Sequence, residues 1–118
     1  GIHLRGGKWH FLRCTLRGYG EGVCVLSCGG STEVLLEKSR VCGLRVDTGL
    51  WRPYVCVLAA GQSSLRIVGC SLQDASGYAL CVTNMAYCKV DKSEIRNNFK
   101  AGLKLDQDAD VLVVDTLL

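Results

Sequence analysis

Apolar and polar residues alternate along this chain in short bursts, three to each stretch of roughly 23 residues, with turns of one to three residues between them. A period of two excludes amphipathic helices and predicts short, half-buried strands. One family of bursts reads Trp9-x-Phe11-x-x-Cys14-x-Leu16. It recurs as Val34-x-Leu36-x-x-Ser39-x-Val41, Leu65-x-Ile67-x-x-Cys70-x-Leu72, Cys88-x-Val90-x-x-Ser93-x-Ile95 and Val111-x-Val113-x-x-Thr116-x-Leu118. The small residue advances by 25, 31, 23 and 23 positions. A second family lies between these. Val23-Cys24-Val25-Leu26 returns as Val55-Cys56-Val57-Leu58, with relatives at Gly1-Ile2-His3-Leu4, Ala79-Leu80-Cys81-Val82 and Gly102-Leu103-Lys104-Leu105.

The two families keep a common phase, which is the mark of a solenoid. Cys14 to Cys24, Cys70 to Leu80 and Ser93 to Leu103 are each ten residues, whereas Ser39 to Cys56 is seventeen, so one coil carries a seven-residue insertion. Gly22, Gly77 and Gly102 precede the second family, where the backbone is expected to turn sharply. Stacked as parallel rungs, the chain predicts ladders of inward side chains. One is Cys14, Ser39, Cys70, Ser93 and Thr116, small residues at a corner. The others are Ile2, Cys24, Cys56, Leu80, Leu103 and Leu4, Leu26, Leu58, Val82, Leu105. The expected architecture is an all-β right-handed parallel β-helix of four to five coils. Residues 1–118 form one segment, expected to belong to a longer chain, with 46–54 as an inserted loop.

This reading explains the eight cysteines. No CxxC spacing occurs, and the only histidines are His3 and His10, so paired zinc ligands are missing. Several cysteines sit within apolar strands, where a free thiol acts as a small hydrophobe. Reduced cysteines in turn point to an intracellular, reducing compartment, the cytosol or an organelle interior.

The segment Ser93-Glu-Ile-Arg-Asn-Asn98 followed by Ala101-Gly-Leu-Lys-Leu105 resembles the repeat of the right-handed parallel β-helix family, the pectate-lyase-like superfold. The resemblance spans nearly the whole chain and is specific for fold. The family includes polysaccharide lyases, glycoside hydrolases, epimerases and tailspikes, and also non-catalytic modules of adaptor-type and scaffold-like proteins. Most catalytic members are considerably longer.

The chain lacks an evident active site. Asp106-Gln-Asp-Ala-Asp110 is the only acidic cluster; it has oxygen ligands for calcium but occupies a turn between rungs and lacks the supporting Gly and distal Glu of a known loop. Asp74 and Asp91 are isolated at different corners, so no pair of acids stacks as glycoside hydrolysis requires. His3 and His10 point outward with no nucleophile beside them. Neither a catalytic residue, a metal nor a cofactor is expected.

The net charge of +3 is uneven: residues 1–60 hold eight Lys/Arg against four Asp/Glu, residues 61–118 six against seven. That excess is too weak for a nucleic-acid binder. Arg13 and Lys38 share one predicted column, with Lys92 two rungs up; Arg17 and Arg96 share another, with Arg40 beside them. These columns suit an acidic protein surface or anionic headgroups. No apolar run approaches the roughly 18 residues of a membrane span. The inserted loop holds Leu50, Trp51, Arg52 and Tyr54, residue types favoured at interface hot spots. Val111, Leu112, Val114, Leu117 and Leu118 place apolar groups on both faces of the last strand, where solenoids need a cap. The sequence therefore points to a non-catalytic scaffold module that meets other protein subunits at its uncapped ends and at the 46–54 loop. The competing reading is a carbohydrate-binding or carbohydrate-active domain, in which Trp9, Trp51 and Tyr54 stack on sugars.

Overall fold

The computed structural model describes residues 1–18, 24–43, 55–96, 98 and 102–117, and every statement below concerns those residues. The first coil supplies β1 (Ile2–Leu4), β2 (Gly7–Leu12) and β3 (Thr15–Arg17). The second supplies β4 (Cys24–Cys28), β5 (Thr32–Glu37) and β6 (Arg40–Cys42), and the third β7 (Val55–Ala59), β8 (Ser64–Val68) and β9 (Ser71–Gln73). Then follow β10 (Leu80–Val82), β11 (Tyr87–Asp91) and β12 (Glu94–Arg96), and finally β13 (Leu103–Leu105) and β14 (Asp110–Val114). Like strands of successive coils pair in parallel. They form a first sheet β1-β4-β7-β10-β13, a second β2-β5-β8-β11-β14 and a third β3-β6-β9-β12. No helix long and apolar enough to cross a membrane is present among the described residues.

Registers fix the core. In the second sheet Trp9, Val34, Leu65, Cys88 and Val111 align, as do Phe11, Leu36, Ile67, Val90 and Val113. In the third, Leu16, Val41, Leu72 and Ile95 align. The members of these columns in the middle coils are buried, whereas those on the outermost rungs are partly open; Trp9 is 46% exposed. Burial of these alternating aliphatics is the main favourable contribution to the fold.

The first sheet departs from the expected ladders. Its columns are Ile2, Leu26, Val57, Leu80, Leu103 and Leu4, Cys28, Ala59, Val82, Leu105. Cys24 pairs with Val55, so the identical tetrapeptides 23–26 and 55–58 lie one residue out of step. Leu26 is fully buried, but Leu58 pairs with Ser27 and Cys81 on the outer face and is only half-buried. Cys56 is still buried; its thiol donates to the carbonyls of Val41 and Gln73, between the third and first sheets. The reason is that register is set by the whole coil. The steps from Val34 to Leu65 and from Leu26 to Val57 are both 31, one less than the tetrapeptide spacing of 32.

Two corners recur with left-handed backbone. Between the first and second sheets it falls on Gly30, Gly61, Asn84 and Gln107, with φ of 61, 65, 60 and 58°. Between the second and third it falls on Arg13, Lys38, Gly69, Lys92 and Asp115, with φ of 52, 48, 62, 50 and 45°. Gly102, expected at a sharp turn, is not in this region of backbone space; a Cβ there would press on Ile95 Cγ2 at 3.1 Å.

The predicted ladder of small residues stands immediately after the second of these corners. Ser39, Ser93 and Thr116 each donate from the hydroxyl to the carbonyl two residues earlier, at 2.9, 2.9 and 2.8 Å. The thiols of Cys14 and Cys70 do the same at 3.4 Å. The hydroxyls also accept from the neighbouring rung: Cys14 N–H to Ser39 Oγ and Cys70 N–H to Ser93 Oγ, both 3.1 Å, and Ser93 N–H to Thr116 Oγ1 at 3.4 Å. A left-handed residue breaks the strand, and the next side chain closes the backbone groups it frees. Ser93→Ala should therefore lower stability by about 1–3 kcal/mol by leaving the Cys70 amide without its acceptor, while Asp91 O keeps the Gly69 amide. Ser93→Thr should retain most of it, with urea unfolding as the measurement.

Candidate functional site

The outer side of that same corner forms an open groove of about 620 Å³ running across four rungs. Its cations come from two adjacent columns. Arg13, Lys38 and Lys92 occupy the left-handed corner position, and Gly69 takes the same position between the last two. Arg40 stands on the third sheet in register with Thr15, Ser71 and Glu94. Arg13, Lys38, Arg40 and Lys92 are all exposed. Among the described residues the ion pairs are Lys8–Glu33, His10–Glu37, Arg96–Glu94 and Lys104–Asp106, so none of these four cations is paired there. The one carboxylate of the groove, Glu94, is held by Arg96 at 3.1 Å. Like charges on rungs roughly 4.8 Å apart repel one another, and a rigid backbone holds them in place.

Arg13, Lys38 and Lys92 share the column expected from the phase of the repeat, each preceding a residue of the small-residue ladder. Gly69, which the charge pattern passes over, leaves a notch in that column. A Cβ there would lie 3.8 Å from Lys38 Cγ, ordinary contact, so the column has space for a side chain that the chain does not supply.

The other candidates are dispersed. Arg17 and Arg96 do share a column, but Cys42 and Gln73 separate them, and Arg96 Nε donates to Gln73 Oε1 at 3.3 Å. Leu50, Trp51, Arg52 and Tyr54 lie outside the described residues, as does Leu118. Val111 turns inward above Cys88, while Leu112 and Val114 stand on the outer face beside Lys89 and Asp91. Leu117 bridges to Glu94 and is 67% exposed.

Chemistry-bearing groups do not converge elsewhere among the described residues. His3 and His10 are exposed, and His10 Nε2 lies 3.0 Å from Glu37 Oε2. Asp106 pairs with Lys104 at 3.8 Å, and the 106–110 turn does not gather ligands: no group of three His, Cys, Asp or Glu side chains is placed to hold a metal. No two carboxylates occupy neighbouring rungs of one outward column in the second or third sheet. None of the eight cysteines is in a disulfide; Cys14 and Cys81 are half-buried and the other six buried. Trp9, one candidate for sugar stacking, turns its indole N–H onto Gly6 O at 2.7 Å.

With three stacked parallel sheets and this corner in place, the family is clear. The model of the right-handed β-helix region matches residues 1–117, and the chain belongs to that family. No curated protein and no solved structure matches the chain.

Proposed function

We propose that this β-helix is a non-catalytic module that offers a rigid interaction surface to other protein subunits. The observation that carries the reading is the corner groove: four exposed cations, unpaired among the described residues, on backbone locked by the small-residue ladder. Cations presented in this way favour complementary charge and fast encounter. The exposed Leu112 and Leu117 add apolar contact area on the outermost rungs. The 46–54 loop belongs to the same proposal, and Trp51→Ala should weaken association without unfolding the module.

A panel of neutral and acidic glycans, with and without calcium, tests the reading. We expect no turnover and no binding by calorimetry. Release of an unsaturated uronide or of reducing ends would overturn it in favour of a carbohydrate-active domain.

Eight cysteines outside disulfides, six of them buried, are the ground for a reducing compartment. Thiol titration of protein isolated without reductant should count eight groups in denaturant, with Cys14 and Cys81 reacting first under native conditions. A lower count in denaturant would show disulfides and reverse the assignment.

A further inference from the structure

We infer that the corner groove binds an extended acidic peptide, lying along the solenoid axis across Arg13, Lys38, Arg40 and Lys92. The inference rests on the interaction-module reading and names its ligand. Three rung steps separate Arg13 from Lys92, about 14 Å at the usual strand spacing, the length of four or five extended residues. The two guanidinium groups suit bidentate carboxylate pairing, and the two ammonium groups act as point charges.

The groove recognises charge and little else. Ser39 and Ser93 already donate their hydroxyls to Glu37 O and Asp91 O, and Ser71 donates to Gln73 Oε1 at 3.2 Å. Sugar hydroxyls would find few free donors on that floor. No aromatic side chain lines the groove among the described residues, so bases and sugar rings have no stacking platform. A chain of carboxylates needs neither.

The test is fluorescence polarisation of a labelled octapeptide alternating Glu and Ser, with a Lys/Ser octapeptide as control, on the whole protein. Lys38→Asn with Lys92→Asn removes two charges while keeping a residue that accepts left-handed backbone, so the fold is retained; circular dichroism checks this. We expect salt-sensitive binding of the acidic peptide only, a loss of about tenfold or more in the double variant, and no change for Arg17→Gln, which lies off the groove. Gly69→Lys should fill the notch and tighten binding severalfold, since lysine already takes this conformation at two other rungs.

Acidic-peptide binding that ignores both the double variant and Gly69→Lys overturns the inference. So does tighter binding of a sulfated glycan or of anionic vesicles through the same residues. Absence of peptide binding alongside a silent glycan panel removes the groove assignment and leaves the interaction reading in place. Glycan turnover removes both.

Discussion

Between about pH 9 and 12 this protein should lose much of its stability. Burial pushes the thiols of Cys28, Cys56 and Cys88 up from an ordinary 9.0 to about 12. It also raises those of Cys24, Cys70 and Cys81. The cause is the same throughout: a thiolate in an apolar core loses its water. The sign follows from where the proton sits. Below pH 9 both folded and unfolded chains hold the proton, and the stabilisation is fully present. Above it the unfolded chain releases protons that the folded chain keeps, so stability falls as pH climbs toward 12.

Cys28, Cys56 and Cys88 each cost a little over about 1 kcal/mol per pH unit in that window. The three most deeply shifted together cost roughly 4 kcal/mol per unit, a large share of the 5–15 kcal/mol typical of a whole domain. Urea midpoints measured at half-unit steps of pH should drop steeply above 9. Replacing Cys88 by Ala should flatten the slope by about a third of that amount, even though it lowers stability at neutral pH. A midpoint unchanged from pH 8.5 to 10.5 would mean that these thiols are not buried together in the folded core.

The second large effect separates two leucines that look alike in the sequence. Leu26→Ala should cost about 2–5 kcal/mol, because Leu26 is fully buried between Ile2 and Val57 and its loss leaves a cavity. Leu58→Ala should cost no more than about 1 kcal/mol, because Leu58 lies on the outer face of the first sheet. For a domain of this size the difference amounts to a melting shift of roughly 10 °C. Equal losses would restore the register in which the two tetrapeptides superpose.

The corner shows how much the chain wrote plainly. Cys14, Ser39, Cys70, Ser93 and Thr116 were legible as one ladder because a small donor after a left-handed residue is a local requirement, met within three residues of chain. The same phase placed Arg13 and Lys38 in one column. The groove they help to form was only partly legible, since its openness depends on Gly69 and on Glu94 turning to Arg96. Both are facts about neighbours on other rungs.

What the sequence determined by itself was the architecture: strands from a period of two, stacking from a period near 23, buried cysteines from their places inside apolar strands. Side-chain alternation and corner chemistry are short-range, so they are written in consecutive residues. What the tertiary structure alone decided was register in the first sheet, which face Leu58 takes, and which cations remain unpaired. A one-residue slip exchanges the two faces of a strand, and the resemblance between 23–26 and 55–58 does not resist it. The closed coil does, because all three sheets must advance together from one rung to the next.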